Sequence, residues 1–244
     1  MQVYRIPFST NVERVALAAG QKGLAIEWVD VEPDDRSEVE RVSRQPLVPV
    51  LVDDGRVVVD STTILRYLES RHPQAPLWPL ERARRAELDV FLAWFNRVWK
   101  RSPNEIAAER ERDDPDEARI EELGHELTAA LEVFESLLDG RDYFFGDFSA
   151  ADCAAFPFLK YALLQDERDT EPFHLILRES SSSAASTRSS RRGSGAWTSA
   201  RARRCTGPNG PGASRGQTPA RVCDFLSRVQ TCPSVWQSQR RRPA

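Results

Sequence analysis

The segment VPVLVDDGRVVVD, residues 48–60, constrains the fold more than any other part of the chain. Two β-branched runs flank Asp54-Gly55, a pattern that is typical of a β-hairpin with a tight two-residue turn. The two strands of a hairpin pair in antiparallel fashion, so this segment is expected to form an antiparallel edge of a sheet. The other strands of that sheet have to come from neighbouring parts of the chain.

Around the hairpin, residues 1–72 alternate between strand and helix patterns. QVYRI and LAIEWVDV are predicted strands, whereas NVERVALAAGQKG, DDRSEVERVSR and STTILRYLESR are predicted helices. The resulting order is β-α-β-α-β-β-α, which indicates an α/β domain. Strands that are linked through helices are expected to pair in parallel with right-handed crossovers.

The remaining patterned sequence is helical. Residues 73–80 follow His72 with a proline-rich stretch that is typical of a stiff linker. Residues 81–179 then carry four predicted helices: ERARRAELDVFLAWFNRVWKR, DPDEARIEELGHELTAALEVFESLLDG, FSAADCAAFPFLKYALL and EPFHLILRE. The third contains a capping-box pattern from Ser149 to Asp152, and Cys153 after it is expected to pack in the core.

Composition excludes several classes of protein. No apolar run approaches the ~18 residues that a membrane span needs, and the N-terminus has no signal-peptide pattern, so we expect a cytoplasmic protein without a membrane partner. The four cysteines form no C-x-x-C pair and show no zinc-ligand spacing with the histidines. No metal site is therefore predicted.

Residues 180–244 differ from the rest, with twelve Arg and a single acid, Asp224. They are rich in Ser, Gly and Pro, which predicts a disordered low-complexity tail in which only RVCDFLSRVQ could form a helix. The chain has 31 Arg against three Lys, as expected of a GC-rich gene, and a shifted frame of such a gene yields this composition. We predict a frameshifted end from about Ser180. The alternative, a basic arm on nucleic acid, is disfavoured because the Arg residues form no recognisable binding motif.

Three short segments of the α/β domain could meet a ligand. Ser9 stands between a strand and a helix, where it either caps the helix or donates to a bound anion. At Asp60-Ser61 a strand ends and a helix begins, so free amides there attract a carboxylate, or Ser61 simply caps the helix. Val48-Pro49 enters a strand, and a cis bond there would turn backbone groups outward, whereas a trans proline would be an ordinary strand start.

These segments, together with GDFSAADCAAFPFLKYA, match the glutathione transferase family in order and spacing, so that residues 1–179 resemble it. The resemblance implies a thioredoxin-like N-terminal domain at residues 1–72 and an all-helical C-terminal domain at residues 81–179. It also implies a homodimer and glutathione as the co-substrate, bound against the N-terminal domain.

The same resemblance implies the roles of single residues. Val48, before a cis Pro49, pairs its backbone with the cysteine of glutathione, and Asp60 and Ser61 hold its γ-glutamyl end. Ser9 corresponds to the serine whose hydroxyl stabilises the glutathione thiolate.

Stabilising the thiolate matters because a free thiol titrates near ~8.5 and is mostly protonated at neutral pH. The thiolate then attacks an electrophilic carbon of a second small molecule. Asn11 could support the site, and the rival hydroxyl of Tyr4 is expected to pack. With Ser9 and no cysteine nearby, the thiol–disulfide branch of the family is disfavoured.

The second substrate is expected beside Trp94, Phe95 and Trp99, although a stripe of aromatic residues also fits a core. One departure from the family precedes Val48-Pro49: members commonly have Gly-Lys or Gly-Gln, whereas this chain has Pro46-Leu47. Leu47 cannot make the polar contact to glutathione. It therefore favours an alternative, a non-catalytic binding or interaction protein of the same fold, and a glutathione-dependent isomerase or dehalogenase is a further one.

Overall fold

The computed structural model describes residues 1–163, 171–180 and 220–231. It contains two compact units. The first comprises Met1–Leu88 and Phe148–Pro157 with the described residues 229–231, and the second comprises Asp89–Asp147 and the described part of 158–228. The domain limits expected from the sequence, 1–72 and 81–179, stay a prediction.

The first unit contains a four-stranded sheet with the strand order β2-β1-β3-β4. Its strands are β1 (Gln2–Arg5), β2 (Glu27–Asp30), β3 (Val50–Asp53) and β4 (Arg56–Val59). Its helices are α1 (Thr10–Gln21), α2 (Ser37–Ser43) and α3 (Ser61–Arg71). The predicted order of strands and helices is confirmed, and the architecture is the thioredoxin-like α/β fold expected from the sequence.

The hairpin is where the sequence places it. Asp53 of β3 pairs with Arg56 of β4, and the two turn residues between them both have positive φ, 49° at Asp54 and 79° at Gly55. Positive φ at both central residues is the conformation that matches the twist of the flanking strands, and Asp-Gly adopts it readily. Turn chemistry alone therefore determines this part of the register.

The direction of β3 differs from the expectation. β1 and β2 pair in parallel as predicted, but β3 pairs antiparallel with β1 although a helix links it to β2. The prediction that all helix-linked strands are parallel is wrong for β3. β3 lies on the other side of β1 from β2. Its direction is not predictable because the apolar pattern of a strand is the same for either direction.

The central strands bury both faces. On one face Tyr4 and Val50 pack with Val31 and Val39, the last of which belongs to α2. On the other face Val3, Leu51 and Val58 lie in cross-strand register and are all buried. Side chains alternate between the two faces of a strand, so covering both faces requires the nearly continuous apolar runs seen in the sequence.

The rest of the described chain is helical. In chain order the helices are α4 (Arg82–Trp94), α5 (Arg101–Arg110), α6 (Glu117–Ala129), α7 (Leu131–Leu137), α8 (Ala150–Leu163), α9 (172–180) and α10 (Ala220–Thr231). A π-helical turn, Phe95–Trp99, separates α4 from α5. None of the helices within the described ranges is long and apolar enough to cross a membrane.

Two predicted helices are each divided. The first contains the π-helical turn, in which the Lys100 amide donates to the carbonyl of Phe95, and the second is interrupted at Ala130. Apolar periodicity persists across such breaks, because one extra residue shifts the helical face without removing it. The sequence pattern therefore indicates helix on both sides of a break but does not locate the break.

The predicted tail is corrected at α10. Val222, Phe225 and Leu226 are each fully buried, and the Phe225 ring lies 4.7 Å from that of Phe144, centroid to centroid. On the polar side Arg221 pairs with Asp139 and Arg228 with Asp142. The expected disorder is thus wrong for residues 220–231, and the predicted helix over RVCDFLSRVQ is confirmed, because this stretch is an amphipathic helix that packs its apolar face. The frameshifted end stays a prediction. The other predicted tail residues after Ser180 lie outside the described ranges.

Candidate functional site

Three segments leave the sheet at the same end. Tyr4 near the end of β1 pairs with Val50 at the start of β3, and Val50 pairs with Val59 at the end of β4. The loop to Ser9 follows β1, the Val48-Pro49 bond precedes β3, and Asp60 follows β4. The register of the sheet therefore brings the three sequence-predicted segments together at one end of its strands.

Ser9 is the N-cap residue of α1, with extended backbone angles, and is half-buried. Its carbonyl accepts the first helical hydrogen bond, from Glu13, but its hydroxyl makes no capping hydrogen bond. The predicted position at the helix start is confirmed, whereas the predicted capping bond is absent. The hydroxyl thus lies beside the amino end of a helix, where the dipole favours an anion.

Asp60, and not Ser61, caps α3, which corrects the expectation that Ser61 is the cap. The Asp60 carboxylate accepts from the backbone amide of Thr63 at 2.9 Å and from its hydroxyl at 3.1 Å. Asp60 has a φ of 69°, a left-handed conformation that aspartate tolerates better than most side chains. Its side chain is exposed while its position is fixed by the helix.

Ser61 is buried and contacts a buried cation. The Arg14 Nη1 atom of α1 donates to the Ser61 hydroxyl at 3.4 Å, and its Nε atom donates to the carbonyl of Ala154 at 3.0 Å. Burial lowers the pKa of the Arg14 guanidinium to about 9, and the nearby charge of Asp60 opposes this shift. At neutral pH the guanidinium is therefore still charged.

The Val48-Pro49 bond is cis, as the resemblance implies, and it stands directly before β3. Val48 is half-buried and Pro49 is buried. Just before it, the side-chain amide of Gln45 both accepts from the Leu47 amide at 2.7 Å and donates to the Leu47 carbonyl at 2.8 Å. The Leu47 side chain is left 66% exposed, an apolar group at the edge of the candidate site.

Tyr4 packs in the core, as expected. It is 7% exposed, its hydroxyl donates weakly to Glu38 at 3.5 Å, and burial raises its pKa. The phenol therefore stays protonated at neutral pH, and its side chain packs with Val31, Val39 and Val50. Asn11 lies in the first turn of α1, half-buried, and its role in the site stays a prediction.

The aromatic residues of the predicted second-substrate pocket lie mostly in a core. Phe95 and Trp99 are 0% and 2% exposed and stack on each other at 4.8 Å. Both rings also contact Phe134 and Phe158. The structure therefore supports the core interpretation for these two residues and corrects the pocket prediction for them. Trp94 is half-buried and its ring centroid lies 5.7 Å from that of Phe134, so its place in a second-substrate pocket stays a prediction.

The start of α8 confirms the predicted capping box. The buried Asp152 carboxylate accepts from the Ser149 amide at 2.8 Å and from its hydroxyl at 2.7 Å. The following residue, Cys153, is fully buried, and burial raises the pKa of its thiol well above the usual value. A thiol held in its protonated form is a poor nucleophile, which agrees with a packing role.

Two residues near the site escape sequence reasoning. Arg14 lies in a stretch of α1, residues 12–20, that is buried throughout, whereas a charged residue in a helix is normally interpreted as exposed. Gln45 is one polar residue in a polar loop. The role of Arg14 is visible only from its contacts with Ala154 and Ser61, and that of Gln45 only from its contacts with the Leu47 backbone. Among the residues that the structure describes, no group of His, Cys, Asp or Glu side chains could hold a metal ion.

Comparison with known proteins agrees with the geometry. The family model for the glutathione S-transferase N-terminal domain matches residues 3–76, and that for the C-terminal domain matches residues 117–179. Glutathione S-transferase GstB of Escherichia coli is 30% identical over 161 residues, which cover 62% of this chain and 77% of that protein.

Two further relatives differ in what they are called. A stringent starvation protein A homolog of Pasteurella multocida is 28% identical over 148 residues, covering 60% of this chain and 67% of that protein. A solved glutathione S-transferase from Methylobacterium radiotolerans, in complex with glutathione sulfonate, is 25% identical with a TM-score of 0.59, covering 75% of this chain and 89% of the other. By its two matched domains and its similarity to GstB, the chain belongs to the glutathione S-transferase family.

Proposed function

We propose that the chain is a serine-type glutathione transferase in which Ser9 stabilises the glutathione thiolate. The observation that carries this proposal is the placement of Ser9: its hydroxyl is not used for capping, and it stands at the amino end of α1. A hydroxyl donor and a helix amino terminus both favour the thiolate over the thiol, which lowers the pKa of the bound nucleophile. More of the glutathione is then reactive at neutral pH.

The rest of glutathione would be held by the other two segments. The backbone of Val48, before the cis bond, pairs with the cysteine residue of the tripeptide. The exposed carboxylate of Asp60 attracts the γ-glutamyl ammonium, and Ser61 at the first turn of α3 donates to the γ-glutamyl carboxylate. The relative solved with glutathione sulfonate supports a ligand of this class.

In the reaction, the thiolate sulfur attacks an electrophilic carbon, a sulfur–carbon bond forms, and the leaving group departs with its electron pair. Because sulfur begins as the anion, no proton has to be removed during the attack. We further propose that the electrophile is a small apolar molecule, that the chain forms a homodimer, and that it works in the cytoplasm.

Ser9→Ala tests the proposal, with Ser70→Ala, an exposed serine of α3, as the matched control. We expect the Ser9 variant to bind glutathione within a few-fold of wild type, because only the thiol contact is lost. The pKa of the bound thiol should rise, and conjugation to an aryl halide should fall by about 10²–10³-fold, as for loss of one catalytic donor. Calorimetry, thiolate absorbance against pH and steady-state kinetics measure these quantities. Unchanged conjugation in Ser9→Ala, or no binding of glutathione by the wild type, would contradict the proposal.

A second candidate function is a non-catalytic binding or interaction protein. It is favoured by the exposed Leu47 side chain, which stands where family members commonly place a polar contact to glutathione. One relative carries a name other than transferase, stringent starvation protein A homolog. Glutathione binding without turnover of aryl halides, haloalkanes or isomerisable cis-alkenes would favour this function. Turnover of a haloalkane or an alkene alone would favour the dehalogenase or isomerase alternative.

A further inference from the structure

We propose that Arg14 is a positioning residue of this site, which orients the Ser61 hydroxyl to donate to the γ-glutamyl carboxylate of glutathione. The inference rests on the proposed function and deepens it. Arg14 lies beneath the site and would not itself contact the tripeptide.

Hydrogen bonds hold the buried Arg14 side chain in place. It is 1% exposed, donating through Nε to the Ala154 carbonyl and through Nη1 to the Ser61 hydroxyl. The guanidinium is planar and its donors have a fixed mutual geometry. The shorter hydrogen bond, 3.0 Å from Nε to the Ala154 carbonyl, therefore determines where Nη1 points. It thereby determines the side from which Nη1 approaches the hydroxyl oxygen of Ser61.

The contact determines the direction of the Ser61 proton. A hydroxyl has one donor hydrogen and two acceptor lone pairs, whereas an arginine only donates. Arg14 occupies a lone pair of Ser61, so the Ser61 hydrogen must point away from the guanidinium. A hydroxyl that accepts from a cation is also polarised into a stronger donor. An anionic carboxylate at the start of α3 is the acceptor that suits such a donor.

The anchor of Arg14 is itself well held. Ala154 lies in the first turns of α8, which begin with the buried Ser149–Asp152 capping box. Pro157 follows in the same helix and has no N–H to give to the carbonyl of Cys153, four residues earlier. Arg14 donates to the next carbonyl along, that of Ala154. A buried charge is costly unless it is hydrogen-bonded. The hydrogen bond to the Ala154 carbonyl therefore favours this one placement of the Arg14 guanidinium.

A double-mutant cycle on the full chain tests the inference, with Arg14→Met, Ser61→Ala and the double variant. Arg14→Met should weaken glutathione binding about tenfold, the scale of a hydrogen bond to a charged group. In the Ser61→Ala background the same change should have little further effect, because the hydroxyl that Arg14 orients is gone. Arg14→Lys, which keeps the buried cation but not the fork, should show the same coupling if Arg14→Met fails to fold.

Lys22→Met is the matched control. Lys22 caps the other end of α1, its side chain is fully buried, and it pairs with Glu69 at 2.7 Å. Its loss should destabilise the chain without changing glutathione affinity by more than about twofold. Effects of Arg14→Met and Ser61→Ala that simply add, or an equal loss of affinity in Lys22→Met, would overturn the inference.

A measurement on the unliganded protein tests this inference independently of the proposed function. With ¹³C-labelled serine, the Ser61 Cβ resonance should shift in Arg14→Met and stay in place in Lys22→Met. If that shift occurs while the wild type binds no glutathione, the proposed function is wrong and the positioning of Ser61 by Arg14 stands. If the resonance does not respond to Arg14→Met, the positioning is wrong.

Discussion

Ser9 and Ser61 both stand at the start of a helix, yet neither caps that helix through its hydroxyl. In α1 no side-chain cap forms, and in α3 the capping acceptor is the Asp60 carboxylate. Sequence patterns identify both positions, because serine before an apolar repeat is typical of a helix start. The patterns do not show which side-chain oxygen accepts the hydrogen bond from the helix amide, because this depends on backbone angles such as the positive φ of Asp60. Two hydroxyls are therefore left for other partners.

Leu47 is the residue at which this chain departs most clearly from its family, and replacing it should strengthen glutathione binding. Leu47→Gln adds a polar side chain at an exposed position whose backbone is already held by Gln45. One new hydrogen bond of roughly 0.5–1.5 kcal/mol would lower the dissociation constant of glutathione about threefold to tenfold. Calorimetric titration measures it, and Leu80→Gln, at a 91% exposed leucine, is the control. Equal affinity in wild type and Leu47→Gln would show that glutathione does not pass this residue.

The elements of the fold differ in how far local sequence determines them. The hairpin is predictable because two neighbouring residues, Asp54 and Gly55, determine its turn. The capping box of α8 is predictable for the same reason, since its partners are three residues apart. The antiparallel direction of β3 and the π-helical turn at Phe95–Trp99 are not, because both depend on what packs against them. The burial of Phe95 and Trp99 is likewise not predictable, because it depends on the residues that pack against these two rings.

The capping box of α8 should contribute more to stability than an exposed cap of the same chemistry. Asp152→Ala removes the acceptor of two buried donors of Ser149, so we expect a loss of about 2–4 kcal/mol in the free energy of unfolding. Asp116 caps α6 through the amide of Arg119 but is exposed, and Asp116→Ala should cost at most about 1 kcal/mol. Urea titrations of both variants measure the difference. Equal losses would mean that burial does not strengthen the α8 cap.

At the scale of the whole molecule, α10 changes the interpretation of the C-terminal region. Phe225→Ala removes a fully buried ring that packs on Phe144, and it should lower the free energy of unfolding by about 3–5 kcal/mol. Gln230→Ala, an exposed position of the same helix, should change it by no more than about 0.5 kcal/mol. Thermal and urea unfolding of the full chain compare the two variants. Indistinguishable stabilities would mean that α10 does not pack in solution.

The frameshift prediction has a narrower form that is consistent with the helix α10. Residues 220–231 encode an amphipathic helix, which a shifted frame would produce only by chance. We therefore expect the gene to leave its frame after Glu179 and to return to it before Ala220. Translating the other two frames between these residues should reveal apolar residues at helical spacing in one of them. If both frames lack such spacing, the Arg- and Ser-rich stretch is native sequence.

The shared end of the sheet has a consequence for how such a chain can diversify. The loop after β1, the approach to β3 and the residue after β4 are held in register by backbone pairing of Tyr4, Val50 and Val59. Every group proposed to hold the thiol and the γ-glutamyl end is thus encoded within the first 61 residues. Mutations and insertions in Asp89–Asp147, which belong to the other unit, can accumulate over generations without disturbing that register. Lineages could therefore exchange one electrophile for another while inheriting the same nucleophile.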